Sequence, residues 1–281
     1  MSHPASDPIR ISTVAFFNAT PLTYGLENDP GVRLRYAVPS ALLAELENGL
    51  ADVALLPTID YQRLPDAAVV PVGAIGSEGP TLTVRLFADR PIGHTEVLAV
   101  DGDSHTSVAL AQIVLWRQFD RRPDVVPLAD APPGATRLLI GDKVITAAPP
   151  DMPHQLDLGQ AWNEMTGLPF VFAIWTTREG RRIGDVAERL ARARERGLRH
   201  IEELVQMQAV PRGWPADVAH AYLTRHLQFG VGDRQLEAIR RFHAMAAELE
   251  LIEGVRPLRV AEAGGAIGHP LVPSPSGRGL G

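Results

Sequence analysis

The sequence predicts an α/β protein of two lobes joined by a hinge, with a cleft between them. Three observations carry that expectation. The 281 residues exceed the usual size of one compact domain. Apolar runs of strand length alternate with helix-like runs over the first two thirds of the chain, the rhythm of β–α–β units and parallel pairing. Two short segments, "FADRPIG" and "IWTTREG", break that rhythm where a chain would leave one lobe and later return to it.

"RISTVAFF" (10–17) reads as a buried strand. Thr20 stands as a helix cap, with Pro21 at the first helical position, where a missing N–H costs nothing. "VRLRYAV" (32–38) alternates Val32, Leu34, Tyr36 and Val38 against Arg33 and Arg35, the pattern of a half-buried strand. Ser40 is expected to cap "SALLAELENG", whose Leu42, Leu43 and Leu46 share a helical face and whose Gly49 ends it. "ADVALLP", "AAVVPVGAIG" and "TLTVRLFA" follow as strands, the last two separated by the loop "SEGP" (77–80). A second α/β set comprises "TEVLAV", a helix from about Thr106 to Phe119, then "DVVPLA", "TRLLIG", "HQLDLG", a short helix "QAWNEMTG" and the strand "PFVFAIWTT". The last third is helical, with Leu236, Ile239, Phe242, Met245 and Leu249 at helical spacing. The expected division is a discontinuous first lobe, 1–88 plus 178–256, a second lobe, 89–177, and a flexible or extended Gly/Pro/Ser-rich tail, 257–281.

Composition narrows the function classes. Hydrophobic residues at 45% supply two cores, and a net charge of −6 argues against a nucleic-acid partner. There is no cysteine, which removes disulfides, thiolate metal ligands and cysteine nucleophiles together. Nearly all basic residues are arginine; Lys143 is the only lysine. The opening "MSHPASDPIRIS" has no apolar core of signal-peptide length, and no window approaches the roughly 20 apolar residues of a membrane span. A cytoplasmic location without membrane contact is expected. The nine histidines lack metal-ligand spacing, so no metal is expected. The arginine run Arg189 to Arg199 reads as a solvated helix face laced with glutamates.

The candidate site residues stand where strands hand over to helices or loops, the usual ligand positions of α/β proteins. Asn18 follows the first strand and Thr20 stands beside it. Thr58 follows "ADVALLP"; Ser77, Glu78 and Gly79 lie in the loop after the next strand; Asp142 follows "TRLLIG". Ser104, Thr106 and Ser107 open a helix, and a helix N-terminus attracts an anion. Taken alone, each Ser or Thr is better explained as a plain cap, and Asp142 as a helix cap than as a catalytic acid; Asn18 is equally explained as a loop bond. Taken one by one, these residues support a two-lobed binder of a small anion.

Together, "FFNATPLTYGL", "ADVALLPTIDY", "GSEGPTLTV", "DSHTSVAL", "LLIGDK" and "LDLGQAWNEMTGLPFVFAIW" closely resemble, in order and separation, the chorismate dehydratase family that opens the futalosine route to menaquinone. The resemblance covers about residues 10 to 255. It implies a type II periplasmic-binding-protein-like fold, chorismate as substrate, 3-[(1-carboxyvinyl)oxy]benzoate and water as products, and no cofactor. It implies catalytic roles for Asn18 and Glu78, and substrate binding by Thr20, Thr58, Ser77, Gly79, Ser104, Thr106, Ser107 and Asp142. Asn18 would orient the substrate, whose own enolpyruvyl carboxylate would take the proton; Glu78 is the rival base and Asp142 a third. Closure by residues such as Phe17, Leu56 or Trp175 would exclude water. His105 departs from the family's usual residue at its position. The competing readings are the sister enzyme that makes 1,4-dihydroxy-6-naphthoate and a small-anion solute-binding protein; a homodimer is left open.

Overall fold

The computed structural model describes residues 7–102, 104–181 and 183–261. Its strands in chain order are β1 (Ile9–Thr13), β2 (Val32–Tyr36), β3 (Val53–Pro57), β4 (Ala67–Ser77), β5 (Val84–Ala88), β6 (Val97–Val100), β7 (Asp124–Pro127), β8 (Thr136–Ile140), β9 (His154–Asp157) and β10 (Phe170–Arg178). Its α-helices are α1 (Thr20–Thr23), α2 (Pro39–Glu47), α3 (His105–Phe119), α4 (Asp142–Thr146), α5 (Leu158–Thr166), α6 (Val186–Arg199), α7 (Ile201–Leu204), α8 (Ala216–Ala221) and α9 (Asp233–Glu248).

Two five-stranded sheets form, ordered β2-β1-β3-β10-β4 and β7-β6-β8-β5-β9. The expected parallel pairing holds for β1 with β2 and β3, and for β6 with β7 and β8. Each sheet also contains one reversed strand. β10 runs antiparallel to β3 and β4, and β5 antiparallel to β8 and β9. β3 is buried at every residue, as its unbroken apolar sequence requires for a strand covered on both faces.

Strand pairing moves the lobe boundaries. The expected crossings at 88/89 and 177/178 fall instead between Ser77 and Val84 and between Thr166 and Phe170, because β5 pairs in the second sheet and β10 in the first. Helix α9, expected on the first lobe, spans both cores: Leu236 and Ile239 join the first, Phe242, Met245 and Ala246 the second. There Phe242 meets Phe170 edge-on at 5.0 Å and Trp162 at 6.2 Å. Residues 257–261 of the expected tail are packed, with Leu258 buried and Val260 bridged to Val69 of β4; 262–281 lie outside the described residues.

Local details correct three helix expectations. Ser40 lies inside α2, whose N-cap is Val38 and whose first residue is Pro39. Thr20 is the first residue of α1, and its hydroxyl donates back to the Phe17 carbonyl at 2.7 Å. The arginines of α6 are partly engaged rather than solvated: Arg189 pairs with Asp29 and Asp185, and Arg194 donates to the Val72 carbonyl at 2.7 Å.

Candidate active site

A cavity of about 220 Å³ lies between the two sheets. Asn18, which follows β1, and Pro57, the last residue of β3, line one side, and residues that follow β6 and β8 (Asp101, Ser104, Asp142, Lys143) line the other. This is the carboxyl end of parallel strands, where the chain turns and side chains are free to face a ligand.

On the first side, β1 stops at Thr13 and the chain makes a single 3-10 turn, Phe17–Ala19. Phe17 is buried and packs edge-on against Trp214, 5.5 Å between ring centres, with Tyr222 at 6.2 Å. That anchor turns Asn18 to the cavity, where its Oδ1 is buried without a hydrogen-bond partner among the described residues. An unsatisfied buried acceptor costs about 1–3 kcal/mol and marks a place for a donor from elsewhere. Tyr222 Oη lies 2.8 Å from Thr83 Oγ1. Burial pushes its phenol up to about 12, against the pull of the neighbouring Thr83 and Asn18 side chains, so the O–H stays protonated.

The crossing loop into β5 brings Thr81 and Thr83 to the wall. Thr83 N–H donates to the Thr81 carbonyl at 2.8 Å around Leu82, whose φ is 68°. This is a γ-turn in the strained, positive-φ form. Asp157, the N-cap of α5, holds it: its carboxylate accepts Thr81 N–H at 2.9 Å, Leu82 N–H at 2.8 Å, and the Gly159 and Gln160 N–H groups of its own helix. A Cβ on Gly159 would stand 2.7 Å from the Gly79 carbonyl oxygen, so this close approach admits only glycine.

On the second side, Ser104 caps α3, and its hydroxyl donates to Ser107 Oγ at 2.8 Å. Both line the cavity beside the N-terminus of a 15-residue helix, whose dipole favours an anion. Asp142 reaches across to accept Trp214 Nε1–H at 2.8 Å, with Arg212 3.9 Å away. Lys143 is ion-paired with Asp101, and both line the cavity.

Of the ten expected site residues, the structure brings Asn18, Ser104, Ser107 and Asp142 to one cavity. The other six do not line it. Thr20 braces the Phe17 carbonyl, and Thr106 Oγ1 accepts Ile59 N–H at 3.2 Å. Thr58 is fully buried with its carbonyl on His243; Ser77 is buried against Gly159; Gly79 bends the loop at φ 105°. Glu78 is an exposed side chain that accepts from Gln228 at 3.1 Å and Arg234 at 2.5 Å. Gln228 and Arg234 hold its carboxyl below the usual range despite some desolvation, which makes it a weaker base on a surface away from the cavity. Leu56 and Trp175, expected to close the cleft, are core residues that do not line it, whereas Phe17 does. His105 sits on Asp60, 2.9 Å away.

Sequence reasoning missed Thr81, Thr83, Trp214, Tyr222, Asp101 and Lys143. The two threonines were legible as neighbours of the loop at 77–80; Trp214 and Tyr222 come from the helical third and carry no local signal. Among the described residues no group of three or more His, Asp or Glu side chains is arranged to hold a metal ion, and no helix is long and apolar enough to cross a membrane.

The family model described as menaquinone biosynthesis matches residues 9–248. The chain is similar to the chorismate dehydratase of Thermus thermophilus, at 29% identity over 242 residues, 78% of this chain and 86% of that protein. It is also similar to a crystallographically solved protein of Archaeoglobus fulgidus, at 17% identity over 89% of this chain and 100% of that one, with a TM-score of 0.69. A third relative in shape is the periplasmic aliphatic sulphonate binding protein of Escherichia coli, at 16% identity over 99% and 96%, with a TM-score of 0.61. At these identities the two solved structures speak for the fold alone, and that fold is the expected periplasmic-binding-protein type.

Proposed function

The chain belongs to the menaquinone-biosynthesis family, and on that premise we propose that it is a chorismate dehydratase, converting chorismate to 3-[(1-carboxyvinyl)oxy]benzoate and water. The similarity to the Thermus thermophilus enzyme supports the reaction. The observation that carries it to this molecule is the orphaned Asn18 acceptor, facing hydroxyls and a helix N-terminus across one small cavity. A ring that bears a hydroxyl and two carboxylates offers that acceptor a donor, and offers the opposite wall an anion.

The elimination needs little from the protein except placement. The ether-bearing ring carbon loses its proton, and the electrons pass through the neighbouring double bond towards the ring carboxylate. The adjacent C–O bond then breaks, and hydroxide leaves as the ring becomes aromatic. Among the described residues, the carboxylates of Asp101 and Asp142 line the cavity. Asp142 is bonded to Trp214 and Asp101 to Lys143. We therefore assign the proton to the substrate's enolpyruvyl carboxylate, which returns it to the departing oxygen so that water is released. Intramolecular placement is worth roughly 7–11 kcal/mol in the best cases, enough to offset a weak base. Asn18 orients the leaving hydroxyl, and Ser104, Ser107 and the α3 N-terminus stabilise charge on the opposite side. The paired hydroxyls of Tyr222 and Thr83 leave one further donor.

The test is direct. Purified protein mixed with chorismate in the presence of a chelator is expected to replace the diene absorbance with that of a meta-substituted benzoate. Chorismate persisting at its spontaneous rate of decay would remove the dehydratase reading. Loss of turnover in Asp101→Asn well beyond that of a variant lacking its partner Lys143, with binding retained, would transfer the base role from substrate to protein.

A further inference from the structure

We propose that Lys143 is the counter-ion for the substrate's ring carboxylate, its ammonium held over the cavity by Asp101. This rests on the dehydratase reading, which supplies a dianionic ligand. Among the described residues that line the cavity, Lys143 is the sole cationic side chain, and the other charges there are the carboxylates of Asp101 and Asp142. Without Lys143 the charged side chains lining the cavity, among the described residues, would be carboxylates alone, opposed by the α3 dipole and by Arg212, which stands 3.9 Å from Asp142.

The local geometry leaves the ammonium ready for a second partner. Asp101 follows β6 and Lys143 stands in α4 after β8, so the pair joins the ends of two adjacent strands at the cavity wall. Lys143 Nζ hydrogen-bonds Asp101 Oδ2. An ammonium carries three N–H donors, so one bond to Asp101 orients the group and the others remain for a ligand. The lysine side chain is 53% exposed and Asp101 only 16%. A pair this open contributes little to stability, and a flexible four-carbon stem lets the ammonium follow a carboxylate. Asp142, the next residue back, is committed to Trp214.

Chemistry selects which carboxylate. A cation on the enolpyruvyl carboxylate would depress its basicity and oppose the proton transfer assigned to it. On the ring carboxylate the same cation stabilises the charge that arrives there as the ether-bearing carbon is deprotonated. Lys143 therefore acts in binding and more strongly in the transition state.

In full-length protein, Lys143→Met is expected to raise KM for chorismate and lower kcat, with a combined loss in kcat/KM of about tenfold or more. The melting midpoint should stay unchanged, and Lys143→Arg should recover most of the activity. As this is the only lysine, acetylation by an amine-reactive ester, read in the peptide that carries it, should slow when 3-[(1-carboxyvinyl)oxy]benzoate is bound. Unchanged kcat and KM in Lys143→Met overturn the proposal. So does a loss explained by lower stability, an equal loss in Lys143→Arg, or acetylation indifferent to the benzoate. A wild-type protein that leaves chorismate intact removes the dehydratase reading itself, a result distinct from active wild type with an active Lys143→Met variant.

Discussion

Asn18 Oδ1 is a buried acceptor that no donor among the described residues meets, and that is a cost the fold carries for its ligand. Asn18→Ala removes the acceptor and the cost together. Its kcat/KM on chorismate is expected to fall about 100-fold or more, the scale of deleting one preorganised polar group from an active site. The melting midpoint should not fall; a lower midpoint with retained activity would make the residue a structural bond instead. Thr20, two residues on, is the contrast. Its hydroxyl is consumed by the Phe17 carbonyl, so it shapes the turn and does not touch the ligand. Both were visible as polar residues after a strand, and nothing in local sequence separates them, because orientation is set by where Phe17 packs.

The turn Thr58–Arg63 shows how one short element ties the molecule together. Ile59 N–H donates to Thr106 of α3, and Asp60 pairs with His105 of α3 and with Arg63. The Thr58 carbonyl accepts Nε2–H of His243 on α9, whose Nδ1 lies 2.8 Å from Gln62 Nε2. That arrangement uses a neutral imidazole, and burial pulls the His243 pKa down to about 4 from an ordinary 6.5. Above pH 6.5 the ring is neutral folded or unfolded, and the group adds no pH dependence. Between 6.5 and about 4 only the unfolded chain takes the proton, so stability falls as pH falls, by about 1.4 kcal/mol per unit at most. Urea unfolding across this window should show that slope in the wild type and a shallower one in His243→Gln. Parallel slopes would mean that the turn does not depend on a neutral His243. The motif "HQLDLG" gains its meaning at this scale too: Asp157 and Gly159 hold the γ-turn that presents Thr81 and Thr83.

Across the whole molecule, the lobes meet on both flanks of the cavity. Asp142 takes the Trp214 indole N–H on one flank, and the turn Thr58–Arg63 takes α3 on the other. Trp214 also packs on Phe17 and Tyr222, 5.5 Å and 5.2 Å between ring centres, so closing the cleft and aiming Asn18 use one side chain. Trp214→Phe keeps an aromatic ring but loses a hydrogen bond to a charged acceptor, worth about 1.5–3 kcal/mol. It is expected to raise KM for chorismate and to enlarge the ligand-free radius of gyration by small-angle scattering. An unchanged radius and KM would show that Asp142 does not hold the lobes together.

Much of this architecture was present in the order of residues. Strand–helix alternation predicts two α/β units, β1 to β3 and β6 to β8 pair as their apolar runs require, and Asn18, Ser104, Ser107 and Asp142 stand at strand ends that converge. Those features are local, since side-chain periodicity and capping act over a few residues. The partners of β5 and β10, the two crossings, and the arrival of Trp214 and Tyr222 from the helical third were not present there. A strand reads the same in either sheet, and only long-range packing chooses its neighbours. Glu78 is the plainest case. Its place in a loop after a strand suggested a base, while the bonds that draw it outward come from Gln228 and Arg234, 150 and 156 residues away.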